Sequence, residues 1–293
     1  MATLRELKGR IGSVASTEKI TGAMKMISSA KMHRAEGDLR RLLPFRRQIE
    51  TIIGNLLSAD AEFSSPLTET RDIKRAGVVV LGSDDGLCGG YNINIFKGLL
   101  QKIAQMRNSW GQDLEIVLIP VGRKMVKACV KLEAPGISSR PAEGISTKST
   151  AADIKRFSFE LQELFTSGSL DRIDLLYMNF QTVSRQRLRS DAYLPLDAST
   201  INGAAGNQCR PCIFEPDAQT IFRSVIPMYL LSTMQEVFTE NRASEQAARI
   251  MAMQSANDNA KNLLEQLQLE YNKLRQQGIT NELLDILGGQ VNN

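Results

Sequence analysis

Apolar residues recur at coiled-coil spacing near both ends of the chain, and in short unbroken runs between them. At the start, Leu4, Leu7, Ile11 and Val14 are spaced by three, four and three residues. This is the a/d seam by which one helix packs along another. Glu18 and Thr21 then fall on the seam, and Met24 and Ile27 resume it. Gly9, Gly12 and Gly22 lie inside this helix, each at a cost of up to ~1 kcal/mol against alanine. Glycines kept in a helix predict close approach by a partner. Pro44 predicts a kink or break before residues 45–57.

The other end is cleaner. Met228 to Gln277 holds 50 residues without Pro or Gly. Ala260, Leu264, Leu267, Tyr271 and Leu274 repeat the seam spacing, and Ala248, Ala252, Ala256 and Ala260 form a stripe of small residues upstream. Asp217, after Pro216, is the expected N-cap, and a bend is expected near Pro227. Extended from Asp217 to Leu287, the helix would reach roughly 105 Å at 1.5 Å per residue. No globular core of this size holds such a helix, so it needs a partner along its length. The N-terminal helix of the same chain, running antiparallel, is the expected one.

Between the ends the period changes. Strand-like runs cover 76–81, 114–121 and 171–180, with an edge strand expected over 187–196. Helix-like runs fill 93–107, 122–132 and 151–167, while 58–75 and 133–150 read as loops. This alternation predicts a mainly parallel sheet with flanking helices. The expected fold class is α/β plus a long antiparallel coiled coil: a helix over 1–57, a Rossmann-like base over 75–205 and a helix over 215–288.

Charge and cysteine content refine this picture. The net charge is +4, but residues 1–50 carry eleven Lys and Arg against five Asp and Glu, a net of +6. The basicity therefore belongs to the first helix. Four cysteines, Cys88, Cys129, Cys209 and Cys212, are too few for a disulfide framework and favour a reducing compartment. Cys209-Arg210-Pro211-Cys212 has CxxC spacing, but a structural zinc wants two such pairs. No apolar run approaches the ~20 residues of a membrane span. The N-terminus reads as neither a secretory signal nor a transit peptide.

One stretch invites a chemical reading. Gly82-Ser83-Asp84-Asp85-Gly86-Leu87-Cys88-Gly89-Gly90-Tyr91-Asn92 lies between a strand and a helix, the order in which proteins cradle phosphates. The Lys and hydroxyl of a Walker loop are missing, and so is GxGxxG spacing. Asp84 and Asp85 put negative charge where an anion would sit. The glycines are expected to serve a tight turn, and no cofactor or metal is expected. His33 is the one histidine. It lies on a basic helix with no acid expected to orient it, so no catalytic residue is assigned.

Three stretches together resemble one family, the gamma subunit of rotary F-type ATP synthase. Ser16–Ile27 with Ala30, Lys31 and Met32 is similar to the family's ITxAMxMVAxxKM signature. Ser83–Asn92 is similar to SDRGLCGGFN. Ala243–Met253 with Ala256, Asp258 and Asn259, then Tyr271–Gln276 and Ile279–Leu283, are similar to ASEQAARMVAM and YNKxRQxxITxEL. The matches span the whole chain in order. Asp85 stands where the family commonly has Arg, so a charge contact there is expected to be rewired. Gly278, Gly288 and Gly289 are expected to loosen the C-terminal tip. Residues 201–214 are loosely similar to the redox insert of chloroplast members, without its length or cysteine spacing.

The resemblance implies a shaft without chemistry of its own, turning inside a hexamer of alpha and beta subunits. The partners it implies are alpha, beta, epsilon and the ring of c subunits, with no nucleic acid and only indirect membrane contact. The implied location is the cytoplasmic side of a bacterial inner membrane. Met24, Lys25, Arg249, Arg275, Gln276, Thr280 and Glu282 match family positions that touch the beta subunits. Ile279, Leu283, Leu284, Ile286 and Leu287 would form a greasy bearing at the tip. Met24, Met26, Met251 and Met253 would supply adaptable contacts or ordinary coiled-coil core. Lys19, Lys25, Lys31 and Arg34 would face acidic segments of the beta subunits or solvent. Two other readings fit the pattern less well: a basic coiled-coil nucleic-acid binder, which would show salt-sensitive DNA affinity, and an α/β enzyme, which would retain nucleotide.

Overall fold

A computed structural model describes residues 3–57, 64–197 and 214–290, the last six as backbone only. Cys209 and Cys212 lie outside the described residues. In chain order the elements are α1 (Leu4–Leu57), β1 (Arg75–Leu81), α2 (Tyr91–Trp110), β2 (Glu115–Val121), α3 (Arg123–Cys129), β3 (Ile137–Ser139), α4 (Ala151–Thr166), β4 (Arg172–Thr182), β5 (Arg185–Leu194) and α5 (Ala218–Gln290). The two long helices have 54 and 73 residues. No helix among the described residues is long and apolar enough to cross a membrane.

The chain forms two compact units. The larger runs from Ala30 to Ala248. Its sheet has the order β3-β2-β1-β4-β5. The first four strands are parallel, and β5 returns antiparallel to β4. β1 is apolar on both faces because both are covered, as parallel strands require. Val79 and Leu81 face a core built from α4, the end of α1 and the start of α5, with Ile53, Leu56, Phe157, Leu161, Phe222 and Phe238 at its centre. Ala76, Val78 and Val80 point the other way, into a core with Tyr91, Ile95, Leu99 and Met106 of α2 and Met125 and Cys129 of α3. Gly98 lets α2 lie against β5: a Cβ there would stand 1.9 Å from Leu188 Cδ2.

Within this unit the long helices run antiparallel. Asp38 acts electrostatically on Arg242, whereas Arg46, further along α1, pairs with Glu236 and stacks over Tyr229. The partner number falls as the α1 number rises. α4 starts with a full capping box between Thr150 and Asp153. Thr220 N–H donates to Asp217 Oδ1 at 2.8 Å, so Asp217 caps α5 as its sequence position predicts.

The smaller unit comprises the chain up to Ser29 and from Arg249 onward. The seam is present. Leu7, Thr21, Ala260 and Leu267 are buried; Ile11, Val14, Leu264, Tyr271 and Leu274 are half-buried. The polar interruption is bonded across the helices: Asn257 Nδ2 donates to the Glu18 carbonyl at 2.8 Å and to Thr21 Oγ1 at 3.3 Å.

Several sequence expectations need correction. Ile27 does not resume the seam; it is exposed, and Ser28 is buried in its place. Neither proline breaks its helix: α1 continues through Pro44 and α5 through Pro227. A proline removes one helical hydrogen bond, but Ile49, Ile53 and Leu56 beyond Pro44, and Phe222 and Leu230 flanking Pro227, hold both segments in one core. Among the described residues nothing comes within 4 Å of a Cβ placed at Gly9 or Gly12, while one placed at Gly22 would stand 3.5 Å from Asn257 Nδ2. The carbonyls of Gly9 and Gly12 accept from Ser13 and Ser16 hydroxyls, local bonds that occupy the open backbone. The 133–150 loop contains β3, which the sequence pattern hides.

Candidate functional site

The loop after β1 binds the chain's own groups. Asp84 is buried. Its Oδ1 accepts from the Arg123 backbone N–H at 3.1 Å, where α3 begins. Its Oδ2 accepts from Thr147 N–H at 3.1 Å and Thr147 Oγ1 at 2.6 Å. The carboxylate thus braces two neighbouring loops. Asp85 reaches Arg123 at 3.1 Å and Lys148 at 2.7 Å, so the residue that departs from the family pattern is ion-paired within the chain. Gly122 sits at φ 96°, and a Cβ there would come within 3.0 Å of the Ser83 carbonyl. Glycine is needed for the ends of β1 and β2 to press together. The turn reading of the loop holds. Asp84, however, is turned inward, while Asp85 stays partly exposed in its ion pairs, so neither merely repels an anion.

The same loop holds α5. Asn241, 1% exposed, donates from Nδ2 to the Gly82 carbonyl at 2.9 Å. Tyr91 Oη donates to Asn241 Oδ1 at 2.7 Å. Ser244 Oγ donates to the Met178 carbonyl at 2.9 Å, and Asn179 Nδ2 to Glu240 Oε1 at 2.7 Å. Arg242 Nε and Nη2 bond the Thr147 and Ser149 carbonyls. Sequence reasoning missed Asn241, Arg242 and Thr147 because their partners lie between 63 and 159 residues away. The available signal was a polar run, Glu240-Asn241-Arg242, directly after the apolar pair Val237-Phe238 and Thr239.

Beside this grip lies a charged cluster. Burial pushes the Glu240 carboxyl up to about 6, reinforced by Glu236 and opposed by the Asn179 hydrogen bond, Arg189 and Arg46. Burial pulls the Arg46 guanidinium down, but Glu236, Tyr229 and Glu50 more than offset it, so its affinity for the proton is raised. Tyr177 is raised by burial and by the neighbouring Glu240 and Asp191. A cleft of about 830 Å³ opens here, lined by Arg46, Glu50, Arg172, Arg189 and Asp191 among others. Its charges are already paired: Arg46 with Glu50 and Glu236, Arg172 with Asp174, and Arg189 with Asp191.

Candidate chemistry is sparse. Among the described residues, no three His, Cys, Asp or Glu cluster as a metal site would require. Cys88 and Cys129 are buried free thiols. Burial pushes Cys129 up to about 12, so it is not a thiolate near neutral pH. His33 does have an acid beside it: Glu36 lies 3.7 Å from Nδ1 in an exposed i,i+3 pair, which corrects the sequence expectation. Such a pair on a helix surface is a weak ion pair, and no nucleophile joins it in the described contacts.

The residues matched by resemblance fall into three groups. Arg275, Gln276, Thr280, Glu282, Ile279, Leu283 and Leu284 are all exposed on α5. Met24 and Lys25 are half-buried on α1. Arg249 is only 4% exposed, so its guanidinium presents little surface outward. The Ile286 and Leu287 side chains lie outside the described residues. Met253 is buried, whereas Met26 and Met251 are exposed, so the methionines divide between core and surface. Ile20, Met26 and Ile27 on α1, and Leu263 and Leu269 on α5, add to the apolar surface exposed among the described residues.

Comparison with known proteins gives these surfaces a context. The ATP synthase family model matches residues 3–291. A gamma chain of ATP synthase from Bacteroides fragilis is 42% identical, over 99% of this chain and all of that one. One from Bacteroides thetaiotaomicron is 39% identical with the same coverage. One from Ralstonia nicotianae is 35% identical, over 99% of each chain. Among solved structures, the fold resembles a chain of the Euglena gracilis mitochondrial ATP synthase, OSCP/F1/c-ring, with TM-score 0.66, 19% identity and coverage of 98% and 93%. It also resembles one in the central stalk and c-ring of the Tetrahymena thermophila mitochondrial ATP synthase, with TM-score 0.56, 20% identity and coverage of 81% and 99%. Matched from end to end by the family model and by curated gamma chains, the chain belongs to the ATP synthase gamma chain family.

Proposed function

We propose that this chain is the central rotor shaft of an ATP synthase, coupling ion flow through a membrane ring to conformational change in catalytic beta subunits. It supplies torque and asymmetry and leaves the chemistry to its partners. The observation that carries this reading is the apolar surface on two unlike helices. α1 offers Ile20, Met26 and Ile27; α5 offers Met251, Leu263, Leu269, Ile279, Leu283 and Leu284. An exposed apolar surface of this extent marks a contact with other protein. The two helices differ in sequence around their circumference, so three surrounding beta subunits would meet three different faces. A ligand or subunit shifts a conformational equilibrium only through differential contact, and an asymmetric shaft provides it.

Within this reading Arg275 and Gln276 act as a polar catch for one beta conformation, supported by Thr280 and Glu282. Met24 and Lys25 sit against a beta lever. Ile279, Leu283, Leu284, Ile286 and Leu287 run in an apolar bearing. Apolar contacts lack direction, which suits a surface that changes partners as it turns. Arg249 belongs to the same beta-contact set by resemblance, with only 4% of it exposed in the chain. The partners are alpha and beta subunits around the helices, with epsilon and the c-subunit ring at the α/β unit. The chain attaches to the cytoplasmic face of a bacterial inner membrane through those partners.

A nucleic-acid role is not favoured, since the matched gamma chains run the length of the chain. Reconstitution with purified alpha and beta subunits tests the proposal. A complex with three alpha, three beta and one copy of this chain, with ATP hydrolysis dependent on it, is expected. A hexamer that excludes the chain contradicts the reading.

A further inference from the structure

The geometry points to one helical turn of α5, Glu240 to Ser244, as the joint through which torque passes between the α/β unit and the long helix, with Asn241 and Arg242 as its positioning residues. This inference rests on the rotor reading above.

A torque about a helix axis is resisted only when the helix is held from several directions. A helix advances ~100° per residue, so Glu240 and Ser244 share one side while Asn241 and Arg242 point to two others. Each side meets a different element. Glu240 and Ser244 bond Asn179 and the Met178 carbonyl on β4. Asn241 bonds the Gly82 carbonyl at the end of β1 and Tyr91 at the start of α2. Arg242 takes the Thr147 and Ser149 carbonyls. The grip therefore spans about 200° of the helix surface.

The bonds suit a joint better than apolar packing would. Asn241, Tyr91 and Ser244 are all at most 2% exposed. Rolling the helix would leave these buried donors and acceptors unpaired, which hydrogen-bonding groups resist strongly, whereas apolar surfaces can slide with little directional penalty. The gripping loops are themselves tied together: Asp84, two residues beyond Gly82, holds both the Thr147 backbone and the start of α3. The glycine-rich loop, which resembles a phosphate cradle, is here a clamp on a helix.

The test is made in the assembled complex with the hexamer immobilised and a bead attached to the α/β unit through Lys131→Cys. In a stalled complex, angular fluctuation of the bead reports torsional stiffness. The combined variant Asn241→Leu, Arg242→Met is expected to raise the angular variance at least twofold, to leave unloaded ATP hydrolysis within twofold of wild type, and to lower gradient-driven synthesis at least fivefold. A core variant, Phe157→Leu, is expected to lower the melting temperature without raising the variance. If the combined variant fails to assemble, Tyr91→Phe, which removes one hydroxyl and keeps the packing, carries the same test. Unchanged variance in the assembled variant overturns the inference. A wild-type bead that never rotates instead overturns the rotor reading beneath it.

Discussion

Asn257 on α5 donates a hydrogen bond to the Glu18 carbonyl on α1, 2.8 Å away and 239 residues earlier in the chain. The same amide group reaches Thr21 Oγ1. A polar pair in a helix seam costs stability relative to apolar packing, but it fixes which residue faces which. Here it fixes the register at the point where the apolar repeat of α1 lapses. Replacing Asn257 by Ala should cost about 1–2 kcal/mol through the carbonyl and hydroxyl left without it. Chemical denaturation followed by circular dichroism would measure the loss. A neutral variant would mean that the bond contributes no stability.

Asp84 should be more sensitive. A buried carboxylate with three donors braces three segments, and bonds to a charged group are each worth about 1.5–3 kcal/mol. Asp84→Ala is therefore expected to destabilise the α/β unit by several kcal/mol. Neither wild type nor Asp84→Asn is expected to bind ATP in equilibrium dialysis of the isolated chain. Nucleotide retention would revive the phosphate-loop reading.

The Glu240 carboxyl yields a pH dependence whose sign is fixed. Its proton affinity is raised by folding from 4.5 to about 6, so the folded chain holds more protons than the unfolded one between those values. Stability should fall as pH rises from about 4.5 to about 6, then stay lower, by on the order of 2 kcal/mol from this group. Glu240→Gln keeps an acceptor for Asn179 and removes the charge. It should be more stable than wild type at pH 7 and nearly equal to it at pH 4.5. Melting curves of the two proteins across this range would show the gap opening with pH. A gap of constant size contradicts the assignment.

Gly98→Ala places a methyl 1.9 Å from Leu188 Cδ2, in a well-packed interface. Overpacking of this kind costs about 1–3 kcal/mol. Adding Leu188→Ala should recover part of the loss, because the clash is with that side chain. A double-mutant cycle would read the coupling as non-additivity.

The catch residues separate fold from function. Arg275→Ala and Gln276→Ala alter exposed positions, so the melting temperature should move little. Gradient-driven ATP synthesis in the assembled enzyme is expected to drop severalfold. Full activity in both variants would show that these positions are not the catch.

What could be read from the sequence depended on whether a residue's role is local. β1, β2 and β4 announce themselves because strands buried on both faces must be apolar throughout. The seam from Ala260 to Leu274 is visible because most of its neighbours, Leu263 and Leu269 excepted, are polar, and the structure buries or half-buries every member. β3 is invisible because three residues, Ile137–Ser139, carry no period; backbone pairing to β2 defines it. Glu18 and Thr21 read as a weak point in the seam because the residue that explains them, Asn257, lies at the far end of the chain. Asn241 and Arg242 fall under the same rule. Motif likeness alone marked Arg249 as a contact, and its burial could not be read from the motif.

The central claim is that this chain turns. The most direct measurement fixes the alpha–beta hexamer to a surface, attaches a bead to the α/β unit of the chain and supplies ATP. Stepwise rotation in one direction, at three dwell positions per turn, is the expected result. A chain that binds the hexamer tightly while ATP is hydrolysed and the bead stays still would contradict the account.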